Sequence, residues 1–346
     1  MVVGKKNEFM NFLKGLACFG VVFIHVKLPN FVSDGVIQSM FRFAIPLFFM
    51  VSGYFCDTSD RETLEKKLPG KWKHILKISI IGCVYYFVFH MLIAVFGDSG
   101  GSIEDIIWRI KLFFSPQKLL EWVIFNQDPF VNILWFTFAL LYCYLILWVV
   151  NHFNWYRKVF WCIPLFLGAH IIMGNLLLLF GIELSKLYYR NFLFYGLPFM
   201  FLGIWLRRNR ERVLEKVSVK IACVLMAAGT LLSPVEWVVF GRRELFIGSI
   251  LFVLGGFVYA LHKPEAKKNS PITVIGERYS LFIYIVHFSL ISVLDRFAYK
   301  LIPAGICVTV YEYVKVLIIF ALSLMGAYIL EQLMKKWKNR KENKVA

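Results

Sequence analysis

Ten stretches of this 346-residue chain are apolar for long enough to cross a bilayer core of about 30 Å. They fall near 9–26, 37–55, 75–97, 131–150, 159–181, 190–206, 217–240, 244–262, 279–295 and 307–330. With 59% of its residues hydrophobic and 18% aromatic, the chain carries more Phe, Leu and Ile than a soluble core could hide. The surplus needs a second apolar solvent. Inside lipid each backbone polar group must be satisfied within its own segment, which spans of this length achieve as helices. The expectation is an all-α integral membrane protein with about ten transmembrane helices, a multi-pass protein of the cell membrane, forming one domain over 1–346.

A net charge of +17 would otherwise suggest a nucleic-acid partner. Here the basic residues sit in short runs between apolar spans, such as Arg207-Arg208-Asn209-Arg210 and Lys335-Lys336-Trp337-Lys338. That is the pattern of cytoplasmic membrane loops, so nucleic acid is set aside. With the N-terminus inside, the inner segments hold 24 Lys and Arg residues and the outer segments 10. The bias predicts that both termini are cytoplasmic. The basic segment 331–346 then reads as a cytoplasmic tail.

Met1–Lys6 and the apolar run behind it could mimic a signal peptide, but Lys14 interrupts the run and no small-residue cleavage site follows His25. The run reads as a retained first helix. Seven scattered cysteines without a CxxC read as small buried hydrophobes rather than a disulfide framework or zinc site. No His/Asp/Glu set has metal-ligand spacing, and no metal is expected. The longest outer segment, about 98–130, contains the amphipathic stretch Ile106–Phe114, expected to be a helix or partial lid at the outer interface, or else an ordinary loop.

Charges and imidazoles at bilayer depth cost several kcal/mol unless they face a bundle interior or a water-filled cavity. Each is therefore a site candidate. Lys14 and His25 are eleven residues apart in the first span, about three helical turns, which puts them on one face some 16 Å apart. Snorkelling to the headgroups would also explain Lys14, and a structural hydrogen bond would explain His25. Arg42 falls in the outer half of the second span, where Pro46 predicts a kink or local unwinding; a structural arginine capping the previous loop is the competing reading. Trp135, Arg190 and His287 follow in later spans. Glu312 and Lys315, spaced i, i+3, are expected to neutralise each other. His90, His170 and Glu236 read as satisfied packing.

Taken in order, these residues are similar to a known family. Lys14, ten intervening residues and His25, followed by Arg42…Ile45-Pro46-Leu47-Phe48-Phe49-Met50-Val51-Ser52-Gly53-Tyr54, resemble the membrane-bound acyltransferase-3 family. So do Leu134-Trp135-Phe136, Phe194-Tyr195-Gly196-Leu197-Pro198…Gly203 and Ile283-Tyr284-Ile285-Val286-His287. The resemblance implies transfer of an acyl group, often acetyl, from cytoplasmic acyl-CoA to a hydroxyl of an extracytoplasmic or lipid-linked glycan or other cell-envelope acceptor. It implies no permanently bound cofactor, with acyl-CoA as donor substrate. The family's first-helix basic residue is most often Arg; Lys14 keeps the charge and loses the bidentate fork. No hydrolase-like or racemase-like soluble domain is appended, so the acyl group would pass straight to the acceptor or to a partner protein.

Acyl transfer to a hydroxyl needs a base and positive charge near the developing oxyanion. On this reading His25 is the base, with His287 the second choice. Arg42 stabilises the oxyanion or orients the acceptor, Lys14 faces the CoA side, and Trp135, Arg190 and His287 contribute to substrate binding. The rival class is a transporter or flippase for a lipid-linked glycan or anionic substrate. Inverted repeats or paired broken helices would favour that class, and the sequence carries neither.

Overall fold

The computed structural model describes residues 6–30, 32–58, 60–96, 102–302 and 305–342. Among these residues there is no strand. Eight helices among the described residues are long and apolar enough to cross a membrane: Glu8–His25, Asp34–Cys56, Arg61–Phe96, Trp135–His152, Tyr156–Phe180, Val219–Phe240, Pro271–Leu301 and Ile306–Arg340. The protein is an all-α integral membrane protein. Arg61–Phe96 shows why lipid is required: Ile80, Val84, Val88, Leu92 and Phe96, spaced four apart, form one exposed apolar stripe.

The remaining two of the ten expected spans are helical but short. Over 190–206 the chain spends Arg190 and Asn191 on polar contacts and makes a π-helical turn at Phe192–Gly196, leaving twelve α-helical residues, Leu197–Arg208. Over 244–262 the helix starts only at Ile247, behind a loop with Gly241 at φ +70°, and runs sixteen residues to His262. The segment expected as a tail continues the last helix, Ile306–Glu342, to about 55 Å in all; 343–346 lie outside the described residues. In the expected outer loop, the amphipathic stretch does form a helix, Ile103–Phe113, followed by Pro116–Phe125, each capped by a serine hydroxyl. Residues 97–101 of that loop lie outside the described residues.

The chain forms two compact units. The first comprises Met1–Ala44, Val219–Val238 and Leu251–Ala346. Its first helix begins at Asn7, whose side chain accepts from the Met10 amide at 2.9 Å and donates to the Ala260 carbonyl at 2.8 Å. The same helix packs along Pro271–Val274, the π-helical turn Ile275–Tyr279 and Ser280–Leu301. Glycine makes that approach possible: a Cβ on Gly15 would stand 2.1 Å from the Ile272 carbonyl oxygen, and one on Gly276 would stand 1.9 Å from that of Asn11. Small residues at such crossings let membrane helices gain van der Waals contact where no hydrophobic force drives them together.

The second unit comprises Ile45–Ser218 and Val239–Ile250. Its centre is a reciprocal backbone approach. A Cβ on Gly53 would stand 2.0 Å from the Met200 carbonyl oxygen, and one on Gly203 would stand 2.0 Å from that of Met50. Behind it, Arg208 closes on buried Asp57 at 2.7 Å and lies over the Tyr156 ring. This fork-to-carboxylate contact fixes the ends of two helices.

Candidate active site

The first unit brings His25 and His287 together. Their ring centroids are 5.2 Å apart and the planes are tilted by 46°. The register that achieves this is legible in the packing. Gly15, next to Lys14, meets Ile272 and Gly276, and eleven residues after Lys14 His25 meets His287, itself eleven residues after Gly276. The two helices run parallel and in step. Lys14 is half-buried beside the π-helical turn, where a Cβ on Gly276 would come within 3.0 Å of its carbonyl carbon. Lys14 and His25 thus both lie along the Pro271–Leu301 segment.

His287 is fully buried and its Nδ1 lies 3.0 Å from the Ile283 carbonyl oxygen. A carbonyl only accepts, so Nδ1 carries the proton and Nε2 of the neutral ring presents a lone pair. That Nε2 has no hydrogen-bond partner among the described residues. A buried polar atom left open in this way is available to a ligand or a water. His25, the last residue of its helix, is only half-buried and is the more accessible ring of the pair.

Arg42 is buried at 9% exposure. It sits in a turn at 41–43 that separates Gln38–Met40 from Ala44–Cys56. The unwinding expected at Pro46 therefore falls just before it. A proline clashes with the carbonyl four residues back, which here is that of Arg42, so Pro46 is accommodated in the first turn of the next helix. Phe41 packs on Gly20, Phe19 and Phe23, setting Arg42 about one to two turns back along the first helix from His25. Gln38 closes the hairpin, donating to the Val26 carbonyl at 2.7 Å.

Trp135 and Arg190 belong to the second unit, and there they are partners. The guanidinium carbon lies 5.2 Å from the Trp135 ring centroid, a cation–π geometry. Arg190 also donates to Gln127 Oε1 at 2.8 Å and to Asn132 Oδ1, and lies 3.7 Å from Glu244. Its Nε, buried, has no partner among the described residues. Asn126 ties the arrangement: its amide donates to the Trp135 carbonyl at 3.2 Å and its oxygen accepts from Phe192 N–H at 2.8 Å. Asp128 Oδ1 accepts from the amides of Phe130, Val131 and Asn132. Burial pushes its carboxyl above the ordinary 3.8. Sequence reasoning missed Asn126, Gln127, Asp128, Asn132 and Glu244; the polar run Asn126-Gln127-Asp128-Pro129 ahead of Leu134-Trp135 was the available signal.

Two expectations about single residues change. Lys315 does not pair with Glu312. It lies 3.4 Å from Asp295, one helix earlier, and Glu312 accepts from the Tyr299 hydroxyl at 3.1 Å. His90 is held as expected, by the Phe130 carbonyl at 2.9 Å. His170 is held by that of Tyr189 at 2.9 Å, but its buried Nε2 is unpartnered among the described residues, so its packing role is only half satisfied.

Comparison with curated proteins and with solved structures matched nothing. The family model of the acyltransferase-3 family, described as an acyltransferase domain, matches residues 7–332, from the cap of the first helix through most of the last. That match takes in Lys14, His25, Arg42, Trp135, Arg190 and His287, and the chain belongs to the acyltransferase-3 family, as an acyltransferase embedded in a membrane.

Proposed function

We propose that this enzyme moves an acyl group, acetyl in the first instance, from cytoplasmic acyl-CoA to a hydroxyl of an extracytoplasmic or lipid-linked glycan or other cell-envelope acceptor, with His25 as general base. The observation that carries this reading is the His25–His287 pair, one ring accessible and the other buried with an open nitrogen. His25 removes the proton as the acceptor oxygen adds to the thioester carbonyl carbon. When the tetrahedral adduct collapses the C–S bond breaks, and the proton passes from His25 to the departing CoA sulfur. Such a base contributes typically ~10²- to 10⁴-fold.

Arg42 supplies positive charge for the oxyanion or orients the acceptor, the role for which a buried guanidinium is suited. Lys14, three turns nearer the cytoplasm when both termini are cytoplasmic, attracts the CoA phosphates as a point charge. His287 holds the second ring position, and Trp135 with Arg190 offers an aromatic face and a cation to substrate. Acyl-CoA enters as a substrate, no resident cofactor or metal is invoked, and lipids of the cell membrane surround the helices. The test is acyl turnover by purified protein in nanodiscs supplied with labelled acetyl-CoA. CoA release or label exchange above the protein-free rate is expected; neither, across acetyl- and longer acyl-CoA donors, would overturn the reading.

A further inference from the structure

Just past His25 the first unit contains a cavity of about 360 Å³, lined by Lys27, Leu28, Pro29, Tyr299, Glu312 and Lys315. It draws on the two segments that carry the histidine pair: Lys27 is two residues after His25, and Tyr299 lies on the Ser280–Leu301 helix, about 18 Å along its axis from His287. The wall is a fixed polar network. Lys315, itself 2% exposed, is held by Asp295 at 3.4 Å. The Tyr311 hydroxyl donates to the same Asp295 oxygen at 2.9 Å, and the Tyr299 hydroxyl donates to Glu312 Oε1 at 3.1 Å. Burying an ammonium is costly unless it is paired, so this lysine is built into its place.

The chemistry of the wall selects its ligand. With Lys315 paired to Asp295, the open charges of the wall are Lys27 and Glu312, one of each sign, so neither an anion nor a cation is matched along it. An apolar group would strip water from ions and return no hydrogen bond. What suits the wall is an uncharged molecule rich in both donors and acceptors, with a C–H face to lie on Leu28, Pro29 and the Tyr299 ring. That description is a neutral polyhydroxylated ring. We propose that this cavity seats such a ring of the acceptor, an uncharged sugar residue, while a hydroxyl elsewhere on the acceptor reaches His25. The inference rests on the acyl-transfer reading for the role of the ligand, not for its binding.

The test measures binding with no acyl donor present. Saturation-transfer NMR is recorded on nanodisc-embedded protein with methyl β-glucopyranoside, its anionic glucuronide counterpart and its cationic glucosamine counterpart. The neutral glycoside should give a signal, both charged analogues should bind about tenfold or more weakly, and Glu312→Lys with Lys27→Met should abolish the neutral signal while the melting temperature is retained. Should those substitutions cost the fold instead, competition of wild-type protein between neutral and charged glycosides decides alone. Equal or tighter binding of the glucuronide, or no binding of any of the three, overturns the proposal. CoA release from acetyl-CoA, measured on the same wild-type sample, separates the two readings: release without glycoside binding sinks only the cavity assignment, and glycoside binding without release sinks only acyl transfer.

Discussion

The rings of His25 and His287 lie 5.2 Å apart on two parallel helices whose spacing matches residue for residue, eleven from Lys14 to His25 and eleven from Gly276 to His287. A shift of one residue in either helix would turn one ring about 100° away. The pair therefore depends on the glycine crossing some three turns below it.

His287 offers the first prediction. The Nδ1–H bond to Ile283 fixes its tautomer, so a ring of similar size without nitrogen keeps the packing and loses the open Nε2. His287→Phe should lower kcat for acyl transfer by about 10- to 100-fold while KM for acetyl-CoA changes little. A change confined to KM would show that His287 binds the donor instead.

The crossing itself can be probed by one methyl group. Gly276→Ala places a Cβ against the Asn11 carbonyl, where backbone and not a flexible side chain must move. The expected loss is about 1–3 kcal/mol, read as a lower melting temperature, with acyl transfer falling as the register slips. Gly168→Ala is the control: nothing lies within 4 Å of the added Cβ, and it sits inside a helix. It should be neutral, or stabilising by up to about 1 kcal/mol.

Arg190 should not tolerate a conservative exchange. Lysine keeps the charge near Glu244, but it cannot serve Gln127 and Asn132 together while stacking on Trp135. Arg190→Lys should cost about 1–3 kcal/mol of stability, measured by thermal unfolding, and should raise KM for the acceptor. Unchanged stability would mean that these contacts are not made in the folded protein.

Asp128 predicts a pH dependence. Its folded-state pKa lies above the ordinary 3.8 because the carboxylate is buried, so between the two values the folded protein binds more protons than the unfolded chain. Stability therefore falls as pH rises through that interval, and the loss persists above it. Asp128→Asn keeps the Oδ1 acceptor for three backbone amides and removes the charge. It should flatten the decline in melting temperature as pH rises above the ordinary carboxyl value of 3.8. A variant with an undiminished decline would assign that slope to another group.

How much of this could be read in the chain beforehand depended on the range of the interaction. Helical spans were legible because burial in lipid imprints long apolar runs, and Pro46 announced the break at 41–43 because its clash is local. Gly53 and Gly203 stood inside recognisable motifs, but their reason, two reciprocal backbone contacts, appears only when the helices cross. Arg190 stands out in the sequence as a charge out of place; its partners Gln127 and Asn132, 63 and 58 residues away, do not, since nothing in the sequence pairs them. Lys315 differs from its expected pairing for a similar reason: spacing on one helix favours Glu312, whereas Tyr299 and Asp295 on the preceding helix compete for both side chains. The Lys14–His25 face was visible as a period, and the ring that His25 meets was not.

In the proposed mechanism His25 takes the acceptor's proton during acyl transfer. The direct measurement is the rate of CoA release from labelled acetyl-CoA by purified His25→Ala in nanodiscs, at a melting temperature matching the wild type and with wild-type protein alongside. A fall of about 10²-fold or more is expected, with acetyl-CoA binding retained. Full transfer by His25→Ala would contradict it, and so would loss of acetyl-CoA binding in that variant while Arg42→Ala turned over normally.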